Sequence, residues 1–470
     1  MADDATRWLC SLCTTDPGLK DRIEDEHTEA TCHFCGRHGL AMPLEDAADL
    51  CHGVFTKFFG LTPADPDVFE RLDPSWERHG EAPRDVLVRA AGVDVDVADE
   101  LVGCLSDDYG YRAVRDGDED PYGPEARYEA IAADDRTFQD EWLALQLELR
   151  ERSRFFNSEA EDILGRIFGG LESLQTFQKQ PVVVTIPPDD PDAVFWRARL
   201  FMTQSEAEDA LVDPAGSIGP PPPQKARAGR MNPAGVAVFY GSQDIDVCLA
   251  ELRPPVGSWI VACQFRPLRP LRLLDLPALE AVYEEGSYFD LDFGTRRERA
   301  AFLSTFCTQV ARPVLPGEED LGYLPTQVIA EYLADKLHID GMFYPSPQAG
   351  GDRHNVVLFH RAARVRQQLP AEGEEQTGQI EVLEEGIEAV VRVTRMPPAQ
   401  VAAEKAEALE LLDFPGEAWL SQWPAVAQPE DPRTETIEVV AGSVYVNYVF
   451  AVTVGAASTK VSYFDVSDWP

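Results

Sequence analysis

Lysine is nearly missing from this 470-residue chain: seven lysines stand beside 34 arginines, and these 41 bases face 82 acids, a formal charge of −41. Such a surface repels phosphate backbones and argues against a general nucleic-acid binder. Arginine and acid enrichment with so little lysine fits a GC-rich genome or a salt-adapted cytoplasm, and both readings stay open. No apolar run is long enough to be a clear membrane span. The nearest approach, Val444–Val454, is short, rich in β-branched and aromatic residues and without basic flanks, so a strand is expected there. The start Met1-Ala2-Asp3-Asp4 lacks the basic and apolar regions of a secretion signal, so a cytoplasmic protein is expected. At about 150 residues per domain, the length predicts two to four domains, each able to bury its own core.

Cysteine is not scarce. Of nine, four fall in two pairs, Cys10-x2-Cys13 and Cys32-x2-Cys35, separated by 18 residues. Two such knuckles match the zinc-ribbon template, in which four thiolates close a tetrahedral site. All four ligands are spent on one ion, so the expected zinc is structural, with no open position for water. His33 and His38 are read as surface residues of the knuckle. Cys51, Cys104, Cys248, Cys263 and Cys307 are scattered and expected as buried small hydrophobes.

The texture changes along the chain. Residues 1–40 form the zinc knuckle, and 41–179 read as a helical domain. Within the latter, Asp49–Phe59 and Val97–Leu105 carry apolar residues at helical spacing, and Trp142–Phe177 is the strongest helical stretch. Ser158 followed by Glu161 resembles a capping box, so two helices are expected to meet near Asn157. A proline-rich joint, Gln180–Pro191, precedes short apolar runs such as Val236–Tyr240, Trp259–Cys263 and Val356–Phe359, which read as strands, and a helix Gln327–Leu337. That mixture predicts an α+β domain over 192–362. After an acidic linker, 376–470 reads as a small mixed α/β region, with strands Ile387–Val393 and Val444–Val454 and a helix Pro398–Leu412.

The acids are unevenly spread. Residues 214–274 hold only Asp244, Asp246 and Glu251 against Lys225, Arg227, Arg230, Arg253, Arg266, Arg269 and Arg272, a local +4. Burial would dilute both signs, but here only the acids thin out. An anion-binding cleft with arginine forks is the functional reading, and a basic patch packed on the acidic remainder is the plain one.

Around this island stand Phe195-Trp196-Arg197-Ala198-Arg199, Gly229-Arg230-Met231-Asn232-Pro233, Val238-Phe239-Tyr240-Gly241-Ser242 and Cys248-Leu249-Ala250-Glu251. Further on come Gln327–Glu331, Asp340-Gly341-Met342-Phe343-Tyr344-Pro345-Ser346 and Asn355–Phe359. In this order the set resembles the RES domain, named for Arg, Glu and Ser. The resemblance implies an ADP-ribosyltransferase-like α+β fold that consumes NAD, in a family where many members are toxins of toxin–antitoxin pairs. It implies that Arg197 and Arg230 hold the dinucleotide, with Arg199 as the alternative to Arg197 and Asn232 beside them. It places Tyr240, Glu251 and Ser346 around the nicotinamide ribose. Met231 stands where the family usually has an aromatic residue. The N-terminal part is similar to the HEPN-like helical domain found ahead of some RES domains.

The chemistry has its own logic. Nicotinamide leaves NAD neutral and needs no strong general acid; the site must stabilise an oxocarbenium-like ribosyl centre, as in glycosidases. One carboxylate near the ribose does this, and Glu251 is the candidate. Plain readings remain for each residue: Tyr240 as core, Glu251 paired with Arg253, Ser346 as a capping hydroxyl. The expected function is an NAD-consuming enzyme, either a hydrolase, a phosphorylase or an ADP-ribosyltransferase, with NAD as its partner and a protein acceptor or inhibitory partner left open. A non-catalytic nucleotide or ADP-ribose sensor is the alternative. An HEPN-type ribonuclease is a further one, resting on Arg22-x4-His27.

Overall fold

A computed structural model describes residues 6–66, 71, 76–152, 157–191, 193–311, 319–346, 348, 353–368, 372, 374–382, 389–402 and 431–452. The chain folds as two compact units, the first made of Met1–Leu145, Ser173–Pro181 and Leu279–Phe306, the second of Gln146–Glu172, Val182–Ala278 and Cys307–Pro470. Residues 279–306 fall inside the stretch 192–362 expected as one α+β domain, yet they cluster with the first unit. Phe289 and Phe293 join its core, and Ser287 Oγ donates to Asp16 Oδ1 at 2.6 Å.

In the first unit, β1 (Trp8–Cys10), β2 (Glu29–Thr31) and β3 (His38–Pro43) form an antiparallel sheet in the order β1-β3-β2. The helix α1 (Pro17–Asp25) starts where Asp16 accepts from Leu19 N and Pro17 supplies a preset φ. Next comes α2 (Leu44–Phe58), whose buried Leu44, Ala47, Cys51, Val54, Phe55 and Phe58 recur every three or four residues. It therefore begins five residues before the expected start at Asp49, and Phe59 already belongs to the strand β4 (Phe59–Leu61) paired with β5 (Tyr128–Ala130). Three short helices follow: α3 (Pro83–Ala90), α4 (Val95–Leu105) and α5 (Tyr111–Asp116), with a π-helical turn at Ser106–Gly110 joining the last two. Arg22 lies in the last turn of the nine-residue α1 and His27 beyond its end, so the Arg-x4-His pair does not sit on a long helix.

Two helices continue the chain, α6 (Arg136–Glu151) and α7 (Ser158–Phe168). The cap of α7 is Asn157, not Ser158: its side chain accepts from Ala160 N at 3.0 Å, one residue earlier than the expected box. The second unit is built on a nine-stranded sheet. Its strands are β6 (Val183–Ile186), β7 (Phe195–Phe201), β8 (Phe239–Ser242), β9 (Trp259–Pro267), β10 (Leu271–Asp275), β11 (Gly341–Pro345), β12 (His354–Leu358), β15 (Ile437–Val439) and β16 (Tyr445–Tyr448). The order is β15-β9-β7-β8-β12-β11-β10-β6, with β16 also paired to β9. Its pairings are antiparallel except β10–β11.

The C-terminal stretch thus supplies strands to this same sheet, and only part of the strand expected at Val444–Val454 is one. A separate hairpin, β13 (Glu375–Val382) with β14 (Ala389–Met396), packs on α8 (Gln204–Val212), where Glu208 Oε1 accepts from Ile380 N at 2.9 Å. The helix expected over Pro398–Leu412 lies mostly outside the described residues. The remaining helices of the unit are α9 (Pro214–Ile218), α10 (Ile245–Leu252), α11 (Phe293–Ala311, shared along its length by the two units), α12 (Glu319–Gly322) and α13 (Leu324–Asp335).

Alternation along the strands sets the core. Phe195, Phe239, Val261, Cys263, Phe265, Phe343, Val356 and Leu358 share one sheet face and one buried cluster. Each fully buried Phe there contributes about 1.5–3 kcal/mol of transfer free energy. All five scattered cysteines are buried, as their spacing predicts. Among the described residues no helix is long and apolar enough to cross a membrane.

Candidate functional site

The register that buries Phe239 and Val356 turns their neighbours to the opposite face of the sheet. Trp196 pairs with Ser242, Ser242 with Asn355, Asn355 with Tyr344, and Tyr240 with Val357. Directly paired residues share a face, so Trp196, Tyr240, Ser242, Tyr344 and Asn355 lie together. The helix α10 packs on this side, its Cys248 Sγ 3.1 Å from Trp196 O. It starts at Asp244, whose carboxylate accepts from Asp246 N, and stops at Arg253, held in the left-handed region at φ 47. Glu251 is in its last turn.

Glu251 is exposed and held at one oxygen. Ser346 Oγ donates to Oε1 at 2.7 Å and Asn355 Nδ2 donates to the same oxygen at 2.8 Å. Among the described residues its Oε2 has no hydrogen-bond partner, and Glu251 makes no ion pair with Arg253. The carboxylate is thus fixed by two neutral donors, Ser346 and Asn355.

Tyr240 is occupied by its own surroundings. Its hydroxyl donates to Asn232 Oδ1 at 2.9 Å and accepts from Met231 N at 2.9 Å. Burial pushes the phenol well above its usual range, against opposing effects of the Met231 N–H, Arg197 and Arg230. Asn232 is buried, and its Nδ2 faces the carbonyls of Arg227, Pro233 and Val236 at 2.8–3.1 Å. It shapes the loop that carries Arg230. The same loop is clamped by α13: Thr326 Oγ1 donates to Arg230 O at 2.5 Å, and Gln327 Nε2 to Gly229 O at 2.9 Å and Asn232 O at 3.0 Å. The Arg230 guanidinium lies over the Tyr323 ring and donates to Val310 O.

Arg197 and Arg199 project from the other face, the one that also bears Phe195. They pair across β9 with Cys263 and Val261. β7 and β8 share the single pair Trp196↔Ser242 and then part. Arg197 spans that split, with Nη1 donating to Tyr240 O at 2.6 Å and Nε to Ile218 O at 2.7 Å. Desolvation, with the like charge of Arg199 beside it, lowers the Arg197 guanidinium to about 10. Arg199 Nη1 donates to Ser217 O at 2.6 Å. The structure therefore gathers Tyr240, Asn232, Glu251 and Ser346 and sets both strand arginines behind them.

The basic island is partly an artefact of counting along the chain. Arg266 is paired with Glu438 at 2.5 Å and Arg269 with Asp340 in a two-pronged contact at 2.6 and 2.9 Å, both acids coming from outside the window. These two cations are spent on ion pairs with acids from elsewhere in the fold, so the local +4 overstates the charge offered to an anion. Asn355, Tyr344, Thr326 and Gln327 are the residues to which sequence gave no role. Tyr344 is half-buried, and burial together with nearby Tyr240 and Glu251 pushes its phenol well above the usual range.

In the first unit the sulfurs of Cys10, Cys13, Cys32 and Cys35 lie within 4.8 Å of one another. Sγ–Sγ separations are 3.6 Å for Cys10–Cys13, 3.5 Å for Cys10–Cys35 and 3.7 Å for Cys13–Cys32. These are too long for disulfides. A tetrahedron with Zn–S bonds of about 2.3 Å has sulfur–sulfur edges of about 3.8 Å, so the donor set fits such an ion. Cys13 closes a 3-10 turn after β1; Cys32 and Cys35 flank a turn ending at Gly36, φ +70, whose N–H donates to Cys32 O at 3.1 Å. Burial works to raise the Cys32 thiol, but backbone N–H groups of Cys35, Cys10 and Phe34 outweigh it and bring it to about 7.

No curated protein matches the chain. Among solved structures, the M. tuberculosis MbcT-MbcA toxin-antitoxin complex aligns at 14% identity and a TM-score of 0.20, over 45% of this chain and 88% of that one, a score that carries no weight for fold or function. Residues 194–381 match the RES domain family, a span that begins at β7, contains Glu251 and Ser346, and ends in β13. The chain carries a RES domain.

Proposed function

We propose that the second unit consumes NAD by breaking the nicotinamide–ribose bond, with water, inorganic phosphate or a protein side chain as acceptor. One observation carries this reading: the exposed carboxylate of Glu251, tied at Oε1 by Ser346 and Asn355 and unpartnered at Oε2. A carboxylate so held stabilises an oxocarbenium-like ribose and hydrogen-bonds its hydroxyls, while nicotinamide departs neutral. Arg230, on the clamped loop, is the cation offered to the pyrophosphate. Arg197 and Arg199 support the same anion from behind the split between β7 and β8, through their field. Tyr240 offers its half-buried ring for stacking while its hydroxyl holds the loop. The cysteine cluster holds zinc in this reading and serves structure only.

Replacing Glu251 by Gln tests the assignment, because the amide oxygen still accepts from Ser346 and Asn355 while the charge is lost. Nicotinamide release is expected to fall by about 100-fold or more, with the Kd for NAD, measured by calorimetry, within about threefold of wild type. An unchanged rate refutes the role given to Glu251. NAD bound without turnover by the wild-type chain would favour the sensor reading instead.

A further inference from the structure

Glu251 carries a flexible side chain at the exposed end of a helix, and an unsupported carboxylate there would sample several rotamers. Its support is unequal. Ser346 lies just past the end of β11. Asn355 sits inside β12, flanked by β8 and β11, its backbone in register with Ser242 on one side and Tyr344 on the other. It is 5% exposed, and its amide points across the sheet face to Oε1 at 2.8 Å. A donor anchored on both flanks of a sheet fixes direction better than one on a strand end.

Building on the reading of Glu251 above, we propose that Asn355 is a positioning residue: it spends Oε1 inside the protein so that Oε2 is the oxygen presented to the ribose. Its chemistry suits that task. The amide is neutral, so it orients the carboxylate without cancelling its charge, whereas Lys or Arg at this place would form an ion pair and weaken the field at the reacting centre. Asn355 itself need not touch the substrate.

Two variants of the full chain test this, Asn355→Leu and Asn355→Asp, each followed by nicotinamide release per active site, KM for NAD and thermal melting. Asn355→Leu keeps the bulk and loses the donor; kcat is expected to fall about 10- to 100-fold with KM nearly unchanged. Asn355→Asp keeps the shape but sets a carboxylate against Glu251, so its loss of kcat is expected to be the deeper of the two. A residue that only fills space would leave kcat near wild type in Asn355→Leu, which keeps the bulk, and would show itself in the melting temperature alone. Wild-type-like kcat in Asn355→Leu overturns the proposal while leaving the role of Glu251 standing. A silent wild-type chain overturns both.

Discussion

Tyr240 has a ring and a hydroxyl with separate surroundings, and only the structure shows the partners of the hydroxyl. Its hydroxyl is engaged twice, with Asn232 Oδ1 and Met231 N, so it holds the Arg230 loop. Tyr240→Phe leaves both groups short of a partner, and a stability loss of about 1–3 kcal/mol is expected. NAD binding should weaken through the displaced loop, with kcat little changed; denaturant unfolding and KM measure the two effects. A fall in kcat at unchanged stability would place the hydroxyl on the substrate instead. Glu251 and Ser346 were legible as candidates from their order in the chain. Asn355 was not, because a strand residue reveals its face only through register with β8 and β11, a non-local property.

Elements that depend on local spacing were the ones sequence located well. The apolar stripe of α2 and the two CxxC turns need only neighbours a few residues away. The knuckle predicts one zinc per chain by metal analysis, and Cys10→Ser should lower both the metal content and the melting temperature. Full-length protein that binds no zinc, or that melts unchanged without it, would contradict a structural ion. By contrast, the sheet draws strands from 183 to 448, and its parity decides that Arg197 and Arg199 stand behind Tyr240. That Arg197 lies on the face of Phe195 follows from alternation in β7 alone. Which face bears Tyr240 requires the one pair between β7 and β8, and no local pattern contains it.

For the molecule as a whole, −41 is a cost to compactness that salt should relieve. Thermal melting is expected to rise as NaCl is increased from about 0.05 to 1 M, where the Debye length shrinks to about 3 Å; a flat or falling curve would mean that close pairs such as Arg266–Glu438 and Arg269–Asp340 outweigh the general repulsion. Those pairs also explain why the basic window was a blunt guide to the site: ion pairs are made across the fold, and counts along the chain do not see them. The proposed chemistry rests instead on Glu251, held by two neutral donors, Ser346 and Asn355. The most direct test is to incubate the purified full-length protein with NAD, in the presence and absence of phosphate and of candidate acceptors, and to measure free nicotinamide. Release by wild type and its loss in Glu251→Gln is the predicted result; no release under any of these conditions would contradict the account.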